Sequence, residues 1–312
     1  MWAHTFTVFT ATYNRRHTLG AVFESLLAQT YRDFEWLIVD DGSTDGTKDL
    51  VESWMRQAWF PIRYFYQSNG GKHVAFNRGV REARGELLTN LDSDDTCVPE
   101  ALARFYYHWN RIPQAVRHRF SGVVGLCLDE NGHHVGKVFP RDVLDSDSLE
   151  IQYRYKVPGE KWGAHRTEVL RQFPFPEGPD IFFVPESVVW GAVARHYKTR
   201  YVNEGLRVYR NNYEGNEEQL SRAPISPRGA AGMVSWHVEV LNKEIDWFWH
   251  DPSFFLRSAI HYVRFSLHAG VGPRPQIDRL GRLASLMLVG IAWPLGWGMY
   301  CLDIRRLRYK HA

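Results

Sequence analysis

Gly85-Glu-Leu-Leu-Thr-Asn-Leu-Asp-Ser-Asp-Asp95 is the stretch on which the fold turns. Leu87, Leu88 and Leu91 form a short apolar run of buried-strand length, and Asp92, Asp94 and Asp95 follow at its carboxyl end. In open α/β sheets, ligands sit just beyond the carboxyl ends of the strands. Carboxylates two residues apart in a tight turn can face one hard cation, which takes few protein oxygens and leaves positions for phosphate. The stretch therefore has two readings. One is an Asp-x-Asp metal site holding a nucleotide diphosphate, and the other is a polar turn ahead of a helix that starts near Pro99.

Upstream, three more strand patterns alternate with helical ones. Thr5–Thr12 is β-rich, Glu35–Asp40 is a second buried run, and Ile62–Tyr66 is a third. Helical spacing falls at Thr18–Gln29, where Leu19, Val22, Phe23, Leu26 and Leu27 share a face, then after a cap at Thr44 or Asp45, and at His73–Ala83. Such alternation implies a parallel sheet with right-handed crossovers. Residues 1–100 are thus expected to be a nucleotide-binding half, with the loops at Thr10–Asn14, Asp40–Asp45, Asn69–Lys72 and Asp92–Asp95 gathered on one sheet edge. The first strand lacks a G-x-G-x-x-G turn, so this is not a dinucleotide site, and no Walker A sequence is present.

Four stretches in this order carry a resemblance: Thr12-Tyr-Asn-Arg15, Val39-Asp-Asp-Gly-Ser-Thr-Asp-Gly-Thr47, Asn69-Gly-Gly-Lys-His-Val-Ala-Phe-Asn-Arg-Gly79 and Leu91-Asp-Ser-Asp-Asp95. Residues 4–210 resemble a family 2 glycosyltransferase of the GT-A fold. The resemblance implies that Thr10, Thr12 and Asp41, with Asp40 beside it, hold the uracil and ribose of a UDP-sugar. A carboxylate suits the base N3–H because it only accepts; the alternative for Asp40 and Asp41 is turn formation before Gly42. By the same resemblance Lys72 contacts the diphosphate, with a plain surface lysine as the other reading, and Mg²⁺ or Mn²⁺ binds Asp94 with help from Asp92. Asn77 and Arg78 are expected to organise their helix.

Residues 101–210 are expected to form the acceptor-binding half. Ser121–Leu128 is an apolar strand, Asp129–Gly132 a turn and Val135–Phe139 its hairpin partner. His165 reads as a packed or surface histidine rather than an acceptor-pocket residue. Inverting family members carry Glu-Asp where this chain has Glu186-Ser187, so the resemblance leaves Glu186 as catalytic base, Asp180 in reserve, and a helix-start acid as the other reading. Arg195, Lys198 and Arg200 are candidates for the leaving diphosphate or a solvated basic face. Residues 211–232 read as a flexible loop over the site, with Arg222 and Arg228 as minor phosphate candidates.

The region 233–312 reads as helical and membrane-associated. Residues 283–302 hold no Asp, Glu, Lys or Arg, enough to just span a bilayer. Pro294 and flanking arginines on both sides favour instead a re-entrant or interfacial hairpin bent at Pro294. Ser253–His268 carries Arg257, His261, Arg264 and His268 as a basic stripe amid apolar residues, the pattern of a helix lying on an anionic surface. The alternative is a helix packed on the domain or in a homo-oligomer interface.

The bulk properties agree. With 38 basic and 35 acidic side chains, the formal charge of +3 makes no case for nucleic-acid binding. Three dispersed cysteines match neither a zinc site nor a disulfide framework, which suits a reducing compartment, and the sequence opens on a strand rather than a signal peptide. The expectation is an α/β GT-A glycosyltransferase on the cytoplasmic face of a membrane. It inverts a nucleotide sugar onto a glycan or polyprenyl-linked acceptor. Rivals are a scaffold that kept the nucleotide site and a nucleotidylyltransferase; the latter wants a Gly-rich basic loop after the first strand, which is missing.

Overall fold

The structure, a computed structural model, describes residues 2–178, 181, 183–210 and 227–310. Residues 2–175 and 189–210 make one compact unit; the described part of 176–188 and residues 227–310 make a second.

In the first unit the chain runs β1 (His4–Thr12), α1 (Arg16–Leu27), β2 (Phe34–Asp40), α2 (Thr47–Trp54), β3 (Ile62–Tyr66), α3 (Lys72–Glu82) and β4 (Gly85–Asn90). These are the elements expected. β2 is buried at every position, Glu35 and Asp40 included, as its apolar run Trp36–Val39 requires when helices cover both faces. On one face Phe23 of α1 stacks on Trp54 of α2 at 4.7 Å, and Trp36 of β2 joins them. On the other, α3 lies so close to β1 that a Cβ on Gly79 would meet the Phe9 ring at 2.3 Å. Two of the threonines that β1 carries within the core find partners: the Thr7 hydroxyl donates to Glu35 (2.7 Å) and that of Thr10 to the Leu91 carbonyl (2.8 Å).

The chain continues through β5 (Thr96–Cys97), α4 (Ala101–Asn110), α5 (Gln114–Arg117), β6 (Phe120–Leu128), β7 (Val143–Ser146), β8 (Lys161–Arg166), α6 (Thr167–Leu170), α7 (Ser187–Ala194) and β9 (Lys198–Val208). Among the described residues the sheet has nine strands in the order β3-β2-β1-β4-β8-β6-β9-β5, with β7 also on β9. β3, β2, β1 and β4 are parallel, as expected. Beyond β4 the sheet is mixed, because β8 enters antiparallel to both β4 and β6. The expected hairpin at Val135–Phe139 does not form. One bridge joins Leu128 to His134, and then Gly136, at φ 93°, turns the chain toward Pro158. β8 and β9 occupy both flanks of β6 instead.

The second unit holds α8 (Pro227–Glu239), a wide and then a tight helical turn over Val240–His250, α9 (Pro252–His268), α10 (Pro273–Asp278) and α11 (Leu283–Lys310). Leu241, Tyr262, Val263, Val289 and Ala292 are central to its core. Two expectations change here. The segment containing Pro294 is one unbroken helix; Pro294 and Gly290, whose carbonyl loses its donor, both lie on the exposed side, where water can replace the missing bond. The basic stripe of α9 is largely spent inside the unit. Asp303 of α11 takes Arg264 through two bonds (2.6 and 2.8 Å) and His268 at 3.0 Å, and His261 stacks against His237. α9 is thus a core helix. The expected loop at 211–232 lies outside the described residues up to 226, as do Asp180 and Arg222 and the side chain of Arg228.

Candidate functional site

Parallel pairing brings four strand ends to one edge: Thr12 lies opposite Asp40, Asp40 opposite Tyr66, and Phe9 opposite Asn90. The loops after β1 and β2 then lock together. Asn14, at φ 52°, accepts from the Thr44 N–H (2.9 Å), its own N–H donates to Ser43 (2.8 Å), and the Arg16 N–H donates to Asp45 (2.9 Å). The Asp40 carboxylate accepts from the Ser43 N–H (2.7 Å) and the Tyr64 hydroxyl (2.6 Å), which is the turn-forming role.

Asp41 has a larger task. Its buried carboxylate accepts from Gln67 (2.8 Å), the Gly70 N–H (3.0 Å) and the Gly71 N–H (2.7 Å), so it fixes the Gly-rich loop. About four lone-pair directions are available on a carboxylate, which leaves one for a further donor. Gly71 stands at φ 94°, which favours glycine, and hands the chain to Lys72 at the first turn of α3. The Lys72 ammonium lies 2.7 Å from Asp92. Asn77 and Arg78 tether α3, the first by reciprocal 2.9 Å bonds with Phe175 and the second to the Tyr66 carbonyl.

The acids sit at the end of β4 with graded burial. Asp92 and Asp94 are partly exposed, whereas Asp95 is 1% exposed. Beneath them lies a residue that sequence reading passed over inside the last strand. Arg207 of β9, buried, is 3.3 Å from Asp95, 3.7 Å from Asp92 and 3.3 Å from Glu160. An arginine between Leu206 and Val208 in the strand Tyr201–Tyr209 was the signal available, but only tertiary packing of β9 beside β5 names its partners. Arg15 lies 3.7 Å from Asp94.

These neighbours divide the acids. Burial would raise Asp92, but Lys72 and Arg207 outweigh it and hold that carboxyl down to about 2. Asp94 is raised, by burial first and by the charge on Asp92 second. Burial pushes Asp95 up to about 7 despite Arg207. Asp92 and Asp94, both partly exposed, together present hard oxygen donors, a set that suits Mg²⁺ or Mn²⁺ sharing its shell with phosphate. Among the described residues no group of three or more His, Cys, Asp or Glu converges into a closed metal cage.

The threonines differ. Thr10, expected at the base, is fully buried; its hydroxyl donates to Leu91 and accepts from Trp36 (3.0 Å), so it braces the strand end that carries the acids. The Thr12 hydroxyl is buried at the end of β1 without a hydrogen-bond partner among the described residues, an orphan that a ligand group can satisfy.

The acceptor-side expectations fare unevenly. His165 is a core residue: it stacks on Trp190 at 4.6 Å, meets Ser121 at 3.3 Å, and burial lowers it to about 4. Lys198 and Arg200 are paired with Asp147 (2.8 Å) and Asp145 (2.7 and 2.8 Å) beside β7. Glu186 is exposed just before α7 and belongs to the second unit.

Comparison with known proteins is consistent with this geometry. The family model for glycosyl transferase family 2 matches residues 7–133. An uncharacterized glycosyltransferase of Nostoc sp., alr2836, is 41% identical over 227 residues, 69% of this chain and 67% of that protein. The GalNAc(5)-diNAcBac-PP-undecaprenol beta-1,3-glucosyltransferase of Campylobacter jejuni is 29% identical over 209 residues, 65% of this chain; the match spans 63% of that relative's length. Among solved structures, S. aureus TarS 1–349 in complex with UDP-GlcNAc superposes with a TM-score of 0.66 at 20% identity, covering 98% of this chain and 92% of that one. Mannosyltransferase PcManGT from Pyrobaculum calidifontis, in complex with GDP-Man and Mn²⁺, gives 0.53 at 17% identity, covering 97% and 85%. At these identities the structural likeness establishes a GT-A-type fold.

Proposed function

The chain belongs to glycosyltransferase family 2, and from that premise we propose that it moves a sugar from a UDP-linked donor to a hydroxyl of a lipid-linked glycan. Transfer inverts the anomeric centre, and the enzyme works at the cytoplasmic face of a membrane. The observation that carries the donor half is the cluster at the end of β4: Asp92 and Asp94 are partly exposed, with Lys72 and Arg15 beside them and the Thr12 hydroxyl unsatisfied nearby in the fold. UDP-GlcNAc in TarS and GDP-Man with Mn²⁺ in PcManGT support a nucleotide sugar and a divalent ion. The undecaprenol-linked substrate named for the Campylobacter relative supports a lipid-linked acceptor.

In this reading the Thr12 hydroxyl and the remaining lone pair of Asp41 meet the uracil edge. The loop that Asp41 fixes sets Lys72 against the diphosphate. Asp92 and Asp94 hold Mg²⁺ or Mn²⁺, which when bound neutralises charge on the departing diphosphate. Glu186 accepts the proton of the attacking hydroxyl as it adds to the anomeric carbon, and UDP leaves on the opposite face. Ser187 in place of a second acid is the feature favouring the rival, a nucleotide-sugar-binding scaffold.

A panel of nucleotide sugars with Mn²⁺, read as released nucleoside diphosphate, decides between them. Turnover highest with a UDP-sugar, lost in chelator and in Asp94→Asn, is the expected result. Full activity of Asp94→Asn sinks the metal assignment, and a GDP- or dTDP-sugar preference sinks the uracil one. Binding of UDP without turnover of any donor leaves the scaffold.

A further inference from the structure

We propose that the second unit docks on an anionic bilayer with α11 lying flat in the interface, unbroken and not spanning, and with a basic cleft at its amino end taking a lipid phosphate. This rests on the membrane-associated reading above and specifies how the surface is engaged.

α11 has two apolar faces with different jobs. Ser285, Val289, Ala292 and Gly296, spaced by four, three and four, are buried within the unit. A Cβ on Gly296 would come within 2.6 Å of the Ile260 carbonyl, so this face touches the α9 backbone. Leu283, Met287, Ile291, Leu295 and Leu302 lie on the opposite side, and each is between 53% and 73% exposed. From Leu283 to Leu302 that stripe runs roughly 28 Å along the helix at 1.5 Å per residue. Large residues face outward and small ones inward, the reverse of a helix whose apolar content serves its own fold.

By length and composition Leu283–Arg306 could cross a membrane. Its packing argues against that. A span centred near Pro294 would put Ile260 and Val263 of α9 at mid-membrane, since both touch Gly296. His261 and Arg264 adjoin them in α9, and the Arg264–Asp303–His268 cluster holds the two helices together further along. Ionisable groups at that depth are costly. Lying in the interface, α11 buries its outer stripe while α9 stays on the water side.

Charge at both ends of the stripe identifies the surface. Beside the amino end of α11 is a cleft of about 450 Å³ lined by Asn242, Lys243, Asp278, Arg279 and Arg282. Arg305 and Arg306 are exposed at the other end. A second copy is a poor occupant: parallel or antiparallel pairing of the two stripes sets cations against cations. Anionic head groups meet both ends, and interfacial helices are recognised by this combination.

The test uses the full chain with vesicles of phosphatidylcholine alone and of phosphatidylcholine with phosphatidylglycerol. Flotation is expected with the anionic vesicles and much less with the neutral ones. Lys243→Gln with Arg279→Gln should weaken that partitioning by roughly 30-fold, at about fivefold per charge. In a Cys301→Ser background the other cysteines, Cys97 and Cys127, are buried. Nitroxides placed by Met287→Cys, Leu295→Cys and Leu302→Cys should then report one shallow depth from collisions with oxygen and a nickel chelate. A deep maximum at position 295 would show a span and overturn the flat arrangement while keeping membrane association. Equal binding to both vesicles, or no effect of the charge pair, overturns the cleft. No flotation, with a doubled mass in solution, assigns the stripe to a second copy. UDP-dependent thermal stabilisation of the same preparation reports the donor site separately, so failure to dock is distinguishable from failure of the transferase reading.

Discussion

Asp41→Asn separates two roles for one carboxylate. Asp41 accepts three bonds, at 2.8, 3.0 and 2.7 Å, from the loop that ends in Lys72. The amide offers one acceptor oxygen in place of two. In its cheaper orientation the oxygen keeps Gln67 and Gly70, and the NH₂ confronts the buried N–H of Gly71. Losing that charge-assisted bond costs about 1.5–3 kcal/mol, and reducing the other two to neutral bonds about 1 kcal/mol each. The sum is a loss of roughly 3–5 kcal/mol, a large share of the ~5–15 kcal/mol that holds a typical domain together. Urea unfolding of the purified protein measures it. A UDP titration with Mn²⁺, followed by melting temperature, gives the donor side, since a ligand bound only by the folded state raises stability. Both should fall together, because a loosened loop also misplaces Lys72. A stability change under about 1 kcal/mol with donor binding abolished would refute the reasoning and make Asp41 a ligand contact that organises nothing.

Arg207→Met strips the cation from beneath Asp92 and Asp95; breaking such a buried pair should cost about 3–5 kcal/mol, and adding Asp95→Asn should recover part of it in a double-mutant cycle by chemical denaturation. His165 binds a proton at about 4 when folded against 6.5 ordinarily, so the unfolded chain is the better base. Its contribution is present above pH 6.5, is lost as pH falls through that window, and amounts to at most about 3 kcal/mol; His165→Phe should flatten that part of the stability–pH curve. Gly79→Ala should lower the melting temperature by the equivalent of ~1–3 kcal/mol despite better helix propensity, because its Cβ overlaps the Phe9 ring; a neutral or stabilising result would contradict the packing of α3 on β1. Glu186→Gln should slow turnover about a hundredfold to ten-thousandfold with the UDP-dependent thermal shift unchanged, and unaltered turnover would remove Glu186 as the base.

The sequence alone determined the parallel half of the sheet. Apolar runs of strand length, helical spacing between them and acids at strand ends are local signals, and the crossover rule turns them into one edge where Thr12, Asp41, Lys72, Asp92 and Asp94 collect. It also marked Glu186 and the charge-free stretch at 283–302. What it could not decide were pairings between distant segments. β8 enters antiparallel and displaces the expected Val135–Phe139 hairpin, because strand order depends on which edges are free once the chain has collapsed. Arg207 looks like any strand residue until β9 sets it under Asp92 and Asp95. The basic stripe of α9 looks surface-seeking until Asp303, some 35 to 39 residues on, claims Arg264 and His268. A charge pattern states what a helix carries. Which charges face water is settled by the partners that packing brings to them, and for α9 that replaced a surface reading with a core one.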